Sequence, residues 1–233
     1  MTDIFRFKKF QVKQQQNVFK IGTDAVLLAL LIPIENVKQI LEIGCGCGVI
    51  SLILAQRNAN STFTAIDIDN NAFELAQYNF QHSPFSSQIA AILGDVRRQN
   101  FDTMFDMIVC NPPFFSSNTT LHQQHSHARQ QLTLSYDDLL YSILKNITST
   151  GKAFVIIPAE DKEAFLQKLR ERKLFINFSV DVFGIVGGKL KRCIIGFSLI
   201  ETKTSHQNFH IEKSPRKFTT EYIELGKEFY LKF

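Results

Sequence analysis

At 233 residues, 45% hydrophobic and 21% charged, the chain has the makeup of a water-soluble globular protein long enough to bury a proper core. It contains no apolar run near the roughly 20 residues that a membrane span needs, and residues 1–6 carry no apolar segment of the secretory type, so no membrane attachment and a cytoplasmic location are expected. The formal net charge of +4 permits a nucleic-acid partner without requiring one.

Residues 4–20 alternate apolar and polar side chains, with Phe5, Phe7, Phe10, Val12 and Val18 on the apolar beat, which predicts an N-terminal β-hairpin. Gly22-Thr23-Asp24 then precedes the apolar run 25–31, so Thr23 or Asp24 is expected to cap a short helix that ends at Pro33. A βα rhythm follows. Strand 39–43 leads through a glycine loop into helix 49–57. Strand 62–66 leads through Asp67-Ile68-Asp69, with Asp69 as cap, into helix 71–80. A short strand 89–93 ends at Gly94-Asp95, and another around 107–110 ends at Asn111. Helix 136–146, strand 152–158 and helix 161–172 continue the alternation, which implies a parallel sheet with helices on both faces. The β-rich runs 175–183 and 191–200 are joined only through 184–188, too short for a parallel crossover, so this last pair must be antiparallel. Residues 115–131 and 202–217 are polar and are expected to be irregular, the first as a candidate substrate-binding loop. One domain is expected: an N-terminal hairpin and helix over 1–36, a core over 37–201 and a C-terminal extension over 202–233.

The residues that carry chemistry fall at predicted strand ends. Glu42-Ile43-Gly44-Cys45-Gly46-Cys47-Gly48 sits where a strand turns into a helix, and glycines there let the backbone approach a ligand. The spacing is E-x-G-x-G-x-G, not the dinucleotide fingerprint, because Val49 occupies its third glycine position. Asp67, about twenty residues on, ends the next strand where a carboxylate can take both hydroxyls of a ribose, and Asp95 is placed to meet an adenine amino group. Asn111-Pro112-Pro113-Phe114 ends the strand at 107–110. Proline cannot donate to a sheet ladder, and the residue before it is pushed toward extended geometry, so the chain leaves the sheet as a stiff ledge. Such a ledge suits an amino group held by two acceptors; an ordinary strand-ending turn is the plainer reading.

In this order the glycine loop, Asp67, Asp95 and the Asn-Pro-Pro-Phe ledge resemble the class I S-adenosylmethionine-dependent methyltransferases over about residues 20–200. The resemblance implies an α/β, Rossmann-like fold: a seven-stranded, mostly parallel sheet with its last strand antiparallel and helices on both faces, here extended by the N-terminal β-hairpin. It implies S-adenosylmethionine as cofactor, with Glu42, Gly44, Gly46 and Gly48 flanking its methionine part, Asp67 on its ribose, Asp95 and Val96 at its adenine, and Asn111 bordering it. The Asn-Pro-Pro-aromatic signature resembles that of the branch which methylates nitrogens conjugated to a planar ring or amide. By that resemblance the Asn111 side-chain oxygen and the Pro112 carbonyl accept the two N–H groups of an exocyclic amine, Phe114 stacks on the base, and Pro113 and Phe115 lie beside it.

The flanks narrow the resemblance. Lys20-Ile21-Gly22-Thr23-Asp24, Ala128-Arg129-Gln130, and the C-terminal Phe218-Thr219-Thr220-Glu221-Tyr222 and Phe229-Tyr230-Leu231-Lys232-Phe233 are similar to the bacterial tRNA1(Val) (adenine-37 N6)-methyltransferases nearly end to end. This implies that Thr23 and Asp24 close over the cofactor and that Arg129 lies beside the substrate pocket. It also implies that the partner is tRNA, through an anticodon-loop adenine, and a monomer is expected. One departure is Phe114, where that group commonly has tyrosine. Some rRNA guanine-N2 methyltransferases also carry Asn-Pro-Pro-Phe, so the motif leaves the base open. An rRNA guanine N2, a glutamine side-chain amide in a protein, and a non-catalytic RNA-binding module are the alternatives.

His122, His125 and His127 stand in a Gln/Ser-rich stretch without a carboxylate neighbour, so no metal is expected. The four cysteines form neither a zinc-type pair nor a disulfide framework, and are expected to be buried free thiols. Three basic groups, namely Lys8, Lys9 and Lys13, then Lys189, Lys191 and Arg192, then Lys213, Arg216 and Lys217, can each be a phosphate-contacting patch or a solvated face.

Overall fold

Short runs rich in Ile, Val and Phe, each closed by a glycine, a proline or a polar cluster, give the chain its strands, and the amphipathic stretches between them its helices. A computed structural model describes residues 3–112 and 134–232. In chain order the elements are β1 (Asp3–Arg6), β2 (Gln11–Gln14), α1 (Thr23–Leu31), β3 (Gln39–Ile43), α2 (Val49–Arg57), β4 (Thr62–Asp67), α3 (Asn70–Gln81), β5 (Ile89–Leu93) and β6 (Phe105–Cys110). Then come α4 (Tyr136–Asn146), β7 (Ile147–Pro158), a 3-10 turn (Ala159–Asp161), α5 (Lys162–Glu171), β8 (Phe175–Ile185), β9 (Leu190–Ser198), β10 (Ser205–Ser214), β11 (Lys217–Phe218) and α6 (Thr220–Gly226).

Among the described residues the main sheet has nine strands in the order β11-β10-β8-β9-β7-β6-β3-β4-β5, and β1 and β2 form a separate antiparallel pair. The expected seven are the run from β8 to the edge strand β5. β5, β4, β3, β6 and β7 run parallel, and β9 lies antiparallel between β7 and β8. The seven-strand expectation falls short by two, and residues 202–217 are not irregular: β10 pairs parallel with β8 from Ser205↔Phe178 to Glu212↔Ile185, and β11 turns back on β10. A strand next to the sheet's margin needs little apolar content, and in β10 only Phe209 is buried, so its polar residues offered no alternation to read.

The two faces are covered by different helices. On one, Val26, Leu27, Leu28 and Leu30 of α1, the α2 run Val49–Ala55 and Leu75, Ala76 and Phe80 of α3 pack on Ile40, Phe63, Ala65, Val109 and Phe154. On the other, Leu139, Leu140 and Ile143 of α4 and Phe165 and Leu169 of α5 pack on Leu41, Ile66, Ile108 and Val155. Alternate residues of each strand supply the two layers, as the pleat requires. α1 is capped by Gly22 without a side-chain hydrogen bond, so the expectation that Thr23 or Asp24 caps it is corrected: both are inside the helix, and the Asp24 carboxylate is turned to Arg192. Asp69 does cap α3, accepting from Asn71 N at 2.8 Å. At the other end of α1, the Arg57 guanidinium donates to the Ala29 and Ile32 carbonyls and so satisfies acceptors that the helix leaves open.

The chain termini meet. Phe7 bridges to Tyr230, Lys8 N donates to Phe229 O at 2.7 Å, and the Phe7 and Phe10 rings stack at 4.6 Å. Asn79 ties this hairpin to the glycine loop: its side chain accepts from Lys13 N and donates to Lys13 O and Cys47 O.

Candidate functional site

Four adjacent parallel strands, β6, β3, β4 and β5, end at the same side of the sheet, and each hands its next residues to that side. Register pairs Ile43 with both Cys110 and Ile66, and Asp67 with Leu93, so the glycine loop, Asp67, Asp95 and Asn111 line one edge. This is the crevice beyond the carboxyl ends of the strands where open α/β sheets hold ligands.

The glycines differ in purpose. Gly44 and Gly46 have φ of +71° and +55°, and a Cβ at either would meet nothing within 4 Å. There the loop backbone borders open space against which a ligand can lie. Gly48, at φ +81°, caps α2, and a Cβ there would collide with the Phe80 ring, so this glycine serves the packing of α2 on α3. Cys45 and Cys47 between them are buried, and burial raises both thiols, that of Cys47 to about 12, which leaves them unreactive.

Asp67 accepts from Gly46 N at 2.8 Å and from Asp69 N at 3.0 Å, so it clasps the glycine loop to the turn after β4. Burial raises its pKa, partly offset by these backbone donors. Asp95 is held by Arg97 in a forked pair, Nε to Oδ1 at 2.8 Å and Nη2 to Oδ2 at 2.7 Å, and that pairing keeps its pKa low. Arg97 also reaches Asp138, in the first turn of α4, at 3.9 Å. Nothing in the sequence marked Arg97, since an Asp-x-Arg spacing is common. Val96, next to it, turns its side chain into the core.

Glu42 is buried, and its Oε2 accepts from Ser51 N at 3.0 Å and from Ser51 Oγ. It therefore braces the first turn of α2, a role for Ser51 that the glycine spacing did not reveal. Burial lifts the Glu42 carboxyl from 4.5 to about 8, against the opposing effect of the Ser51 hydrogen bonds. A carboxyl with a raised folded-state pKa binds more protons when folded, so its contribution to stability is complete below pH 4.5 and is lost as pH rises to about 8. Glu42→Gln should widen the melting-temperature gap, variant minus wild type, as pH rises through that window. A gap constant with pH would mean that Glu42 is ionised throughout.

Asn111 follows β6. Its side-chain oxygen is buried and accepts no hydrogen bond, one of three buried side-chain polar atoms so left among the described residues. Pro112 is buried beside it. A buried acceptor without a donor is costly in a finished fold, and such an atom points to a partner that arrives later. Thr23 and Asp24 begin α1, and Arg192 Nε donates to Asp24 Oδ2 at 2.8 Å. Arg192 pairs across β9 with Pro158, the last residue of β7, so this ion pair brings the start of α1 to the same edge. Tyr136 OH donates to Asp161 Oδ2 at 2.7 Å, joining the start of α4 to the turn after β7. Pro113, Phe114, Phe115, Arg129, His122, His125 and His127 lie outside the described residues.

Comparisons with known proteins lead to methyltransferases. A family model described as "Methyltransferase small domain" matches residues 9–135. A relative from Flavobacteriaceae bacterium (strain 3519-10), named tRNA1(Val) (adenine(37)-N6)-methyltransferase, is 37% identical over 227 residues, 97% of each chain. A relative of the same name from Vibrio vulnificus (strain YJ016) is 34% identical and covers 99% of this chain and 97% of its own. Among solved structures, a predicted O-methyltransferase from Agrobacterium tumefaciens superposes with a TM-score of 0.69 at 17% identity, covering 88% of this chain and 96% of that one. The M. jannaschii tRNA m1G37 methyltransferase gives 0.60 at 14% identity, over 86% and 55%. These two speak for the fold alone.

Proposed function

The chain belongs to the family of tRNA1(Val) (adenine(37)-N6)-methyltransferases, and we propose that its cleft carries out S-adenosylmethionine-dependent methylation of N6 of the tRNA adenine beside the anticodon. The observation that carries the residue-level reading is the buried, donorless side-chain oxygen of Asn111. An exocyclic amine delocalises its lone pair into the purine ring and is a poor nucleophile. If the Asn111 oxygen and the Pro112 carbonyl take its two N–H groups, the nitrogen can pyramidalise and recover that electron pair. Acceptors fixed for the bent geometry bind the transition state more tightly than the flat ground state. Once the fourth bond forms the nitrogen is cationic and both of its protons are acidic; one of them passes to solvent, so the chain needs no strong general base.

When bound, S-adenosylmethionine supplies a sulfonium whose methyl carbon is the electrophile. The open space against Gly44 and Gly46 suits its methionine part, and Asp67 suits the ribose hydroxyls. Arg97 holds Asp95 ionised and bonds both of its oxygens, so an adenine amino group there would share a charged acceptor with Arg97. Glu42 supports this arrangement from behind, through Ser51 and α2. Thr23 and Asp24 close it from the start of α1. Phe114 stacking on the base, with Pro113, Phe115 and Arg129 around it, completes the proposal, as does action as a monomer in the cytoplasm. The base must leave its stack to reach the ledge, which favours a loop nucleotide.

The test is methylation of a tRNA1(Val) transcript by the purified protein with S-adenosylmethionine, followed by nucleoside mass spectrometry. N6-methyladenosine at the position beside the anticodon is expected. N2-methylguanosine, or methyl transfer only to protein glutamine, would overturn the reading.

A further inference from the structure

Of the three basic groups in the sequence, the fold separates one from the other two. Lys8 donates from Nζ to the Lys227 carbonyl, and the Lys13 ammonium sits 4.3 Å from the centre of the Tyr78 ring, so the first group is largely occupied in joining the hairpin to the body. The other two groups come together. β8 runs parallel to β7 and β10 runs parallel to β8, so the C-terminal ends of β8 and β10 point the same way as Asn111. Val182 is level with Pro158, the end of β7, through Arg192. β8 then continues to Ile185 and β10 to Ser214, so their tips stand above the edge that carries the cleft. The two tips are bound to each other: Ile185 pairs with Glu212, and Val186 N donates to Glu212 O at 2.9 Å.

Lys189 and Lys191 lie on the first tip, and Lys213, Arg216 and Lys217 on the second. All five are exposed, and none makes an ion pair among the described residues. The carboxylate beside them is Glu212, whose Oε2 accepts from Arg216 N at 3.2 Å. With strands about 4.8 Å apart, the tips stand about 14–19 Å to the side of β6. The turn between β10 and β11 adds an independent sign. Ser214-Pro215-Arg216-Lys217 places proline at the first central position and holds Arg216 at φ +63° in the second, where a type II turn accepts glycine or asparagine most easily. An arginine in that conformation costs the fold stability that glycine would not, and its side chain is exposed at the tip, which fits a guanidinium that meets a partner outside the fold.

We propose that these five residues form a basic wall beside the cleft that binds the sugar–phosphate backbone of the RNA flanking the target base. The inference rests on the function proposed above and adds which surface holds the RNA. It also gives the two strands beyond the expected seven a purpose: β10, β11 and the turn between them carry three of the five cations. Contacts of this kind position the nucleic acid and make affinity salt-dependent without reading sequence.

The experiment compares the wild-type chain with a Lys189→Ser/Lys191→Ser/Lys213→Ser/Arg216→Gly/Lys217→Ser variant and with a control. The control, Lys152→Ser/Lys203→Ser, removes exposed charges at the opposite end of the same sheet. For the five-site variant, KM for tRNA should rise at least about tenfold, and the slope of log affinity against log salt should flatten by about 2–4. Its turnover at saturating tRNA and its affinity for S-adenosylhomocysteine should stay at wild-type values. Arg216→Gly alone should weaken tRNA binding while leaving the melting temperature unchanged or higher, which a structural role would not allow. An unchanged KM and salt slope, or an equal change in the control, overturns the wall while leaving the activity intact. A wild-type protein that leaves tRNA unmethylated sinks the function and the wall together.

Discussion

Asn111→Ala lowers methyl transfer to tRNA by about two to three orders of magnitude, the range seen when one preorganised hydrogen-bonding group is removed from a transition-state site. Its affinity for S-adenosylhomocysteine stays within a few-fold of wild type, because the groups proposed for ribose and methionine are carried by β3 and β4. The stability readout makes the expectation specific. The Asn111 oxygen is buried without a donor, and such a group costs a folded protein about 1–3 kcal/mol. Alanine removes that cost, so the variant should melt at the wild-type temperature or above it. A loss of activity together with a fall in melting temperature would describe a structural asparagine. Full activity would remove the ledge from the mechanism.

The sequence made the βα core legible because each of its strands carries its own punctuation. Glycines close β3, prolines close β6, and Asp69 opens α3 as a cap. The strand and helix limits for β3, α2, β5 and α4 agree with those read from pattern alone. The antiparallel β8–β9 pair followed from the length of its connection. What stayed hidden depends on partners far along the chain. β10 is a strand because β8 offers an open edge, and its ten residues bury one aromatic ring. The Asp24–Arg192 ion pair joins residues 168 positions apart, so no local rule could replace the cap assigned to Asp24. In the site, spacing located the glycine loop, Asp67, Asp95 and Asn111 at one edge but could not say what each carboxylate already holds. Glu42 is committed to Ser51, Asp95 to Arg97, and Asp67 to the glycine loop itself.

That last commitment gives Asp67 two roles that one substitution would confuse and a pair of readouts can separate. Its two oxygens accept backbone N–H groups, from Gly46 and from Asp69, and a carboxylate has about four acceptor sites, which leaves capacity for ribose hydroxyls. Hydrogen bonds to a charged group contribute about 1.5–3 kcal/mol each. Loss of two hydroxyl contacts in Asp67→Ala therefore weakens S-adenosylhomocysteine binding by about a hundredfold or more, as titration calorimetry would record. The same change frees Gly46 N, so the melting temperature of the protein alone should also fall. Asp67→Asn keeps one acceptor oxygen and should lie between wild type and alanine in both measurements, since one backbone donor then faces an amide NH2. If alanine lowers the melting temperature but leaves the calorimetric affinity within twofold, Asp67 is only the clasp of the loop. The ribose must then be held by other groups along the ends of β4 and β5. If affinity falls while the melting temperature holds, the clasp adds nothing measurable and the carboxylate is there for the ligand.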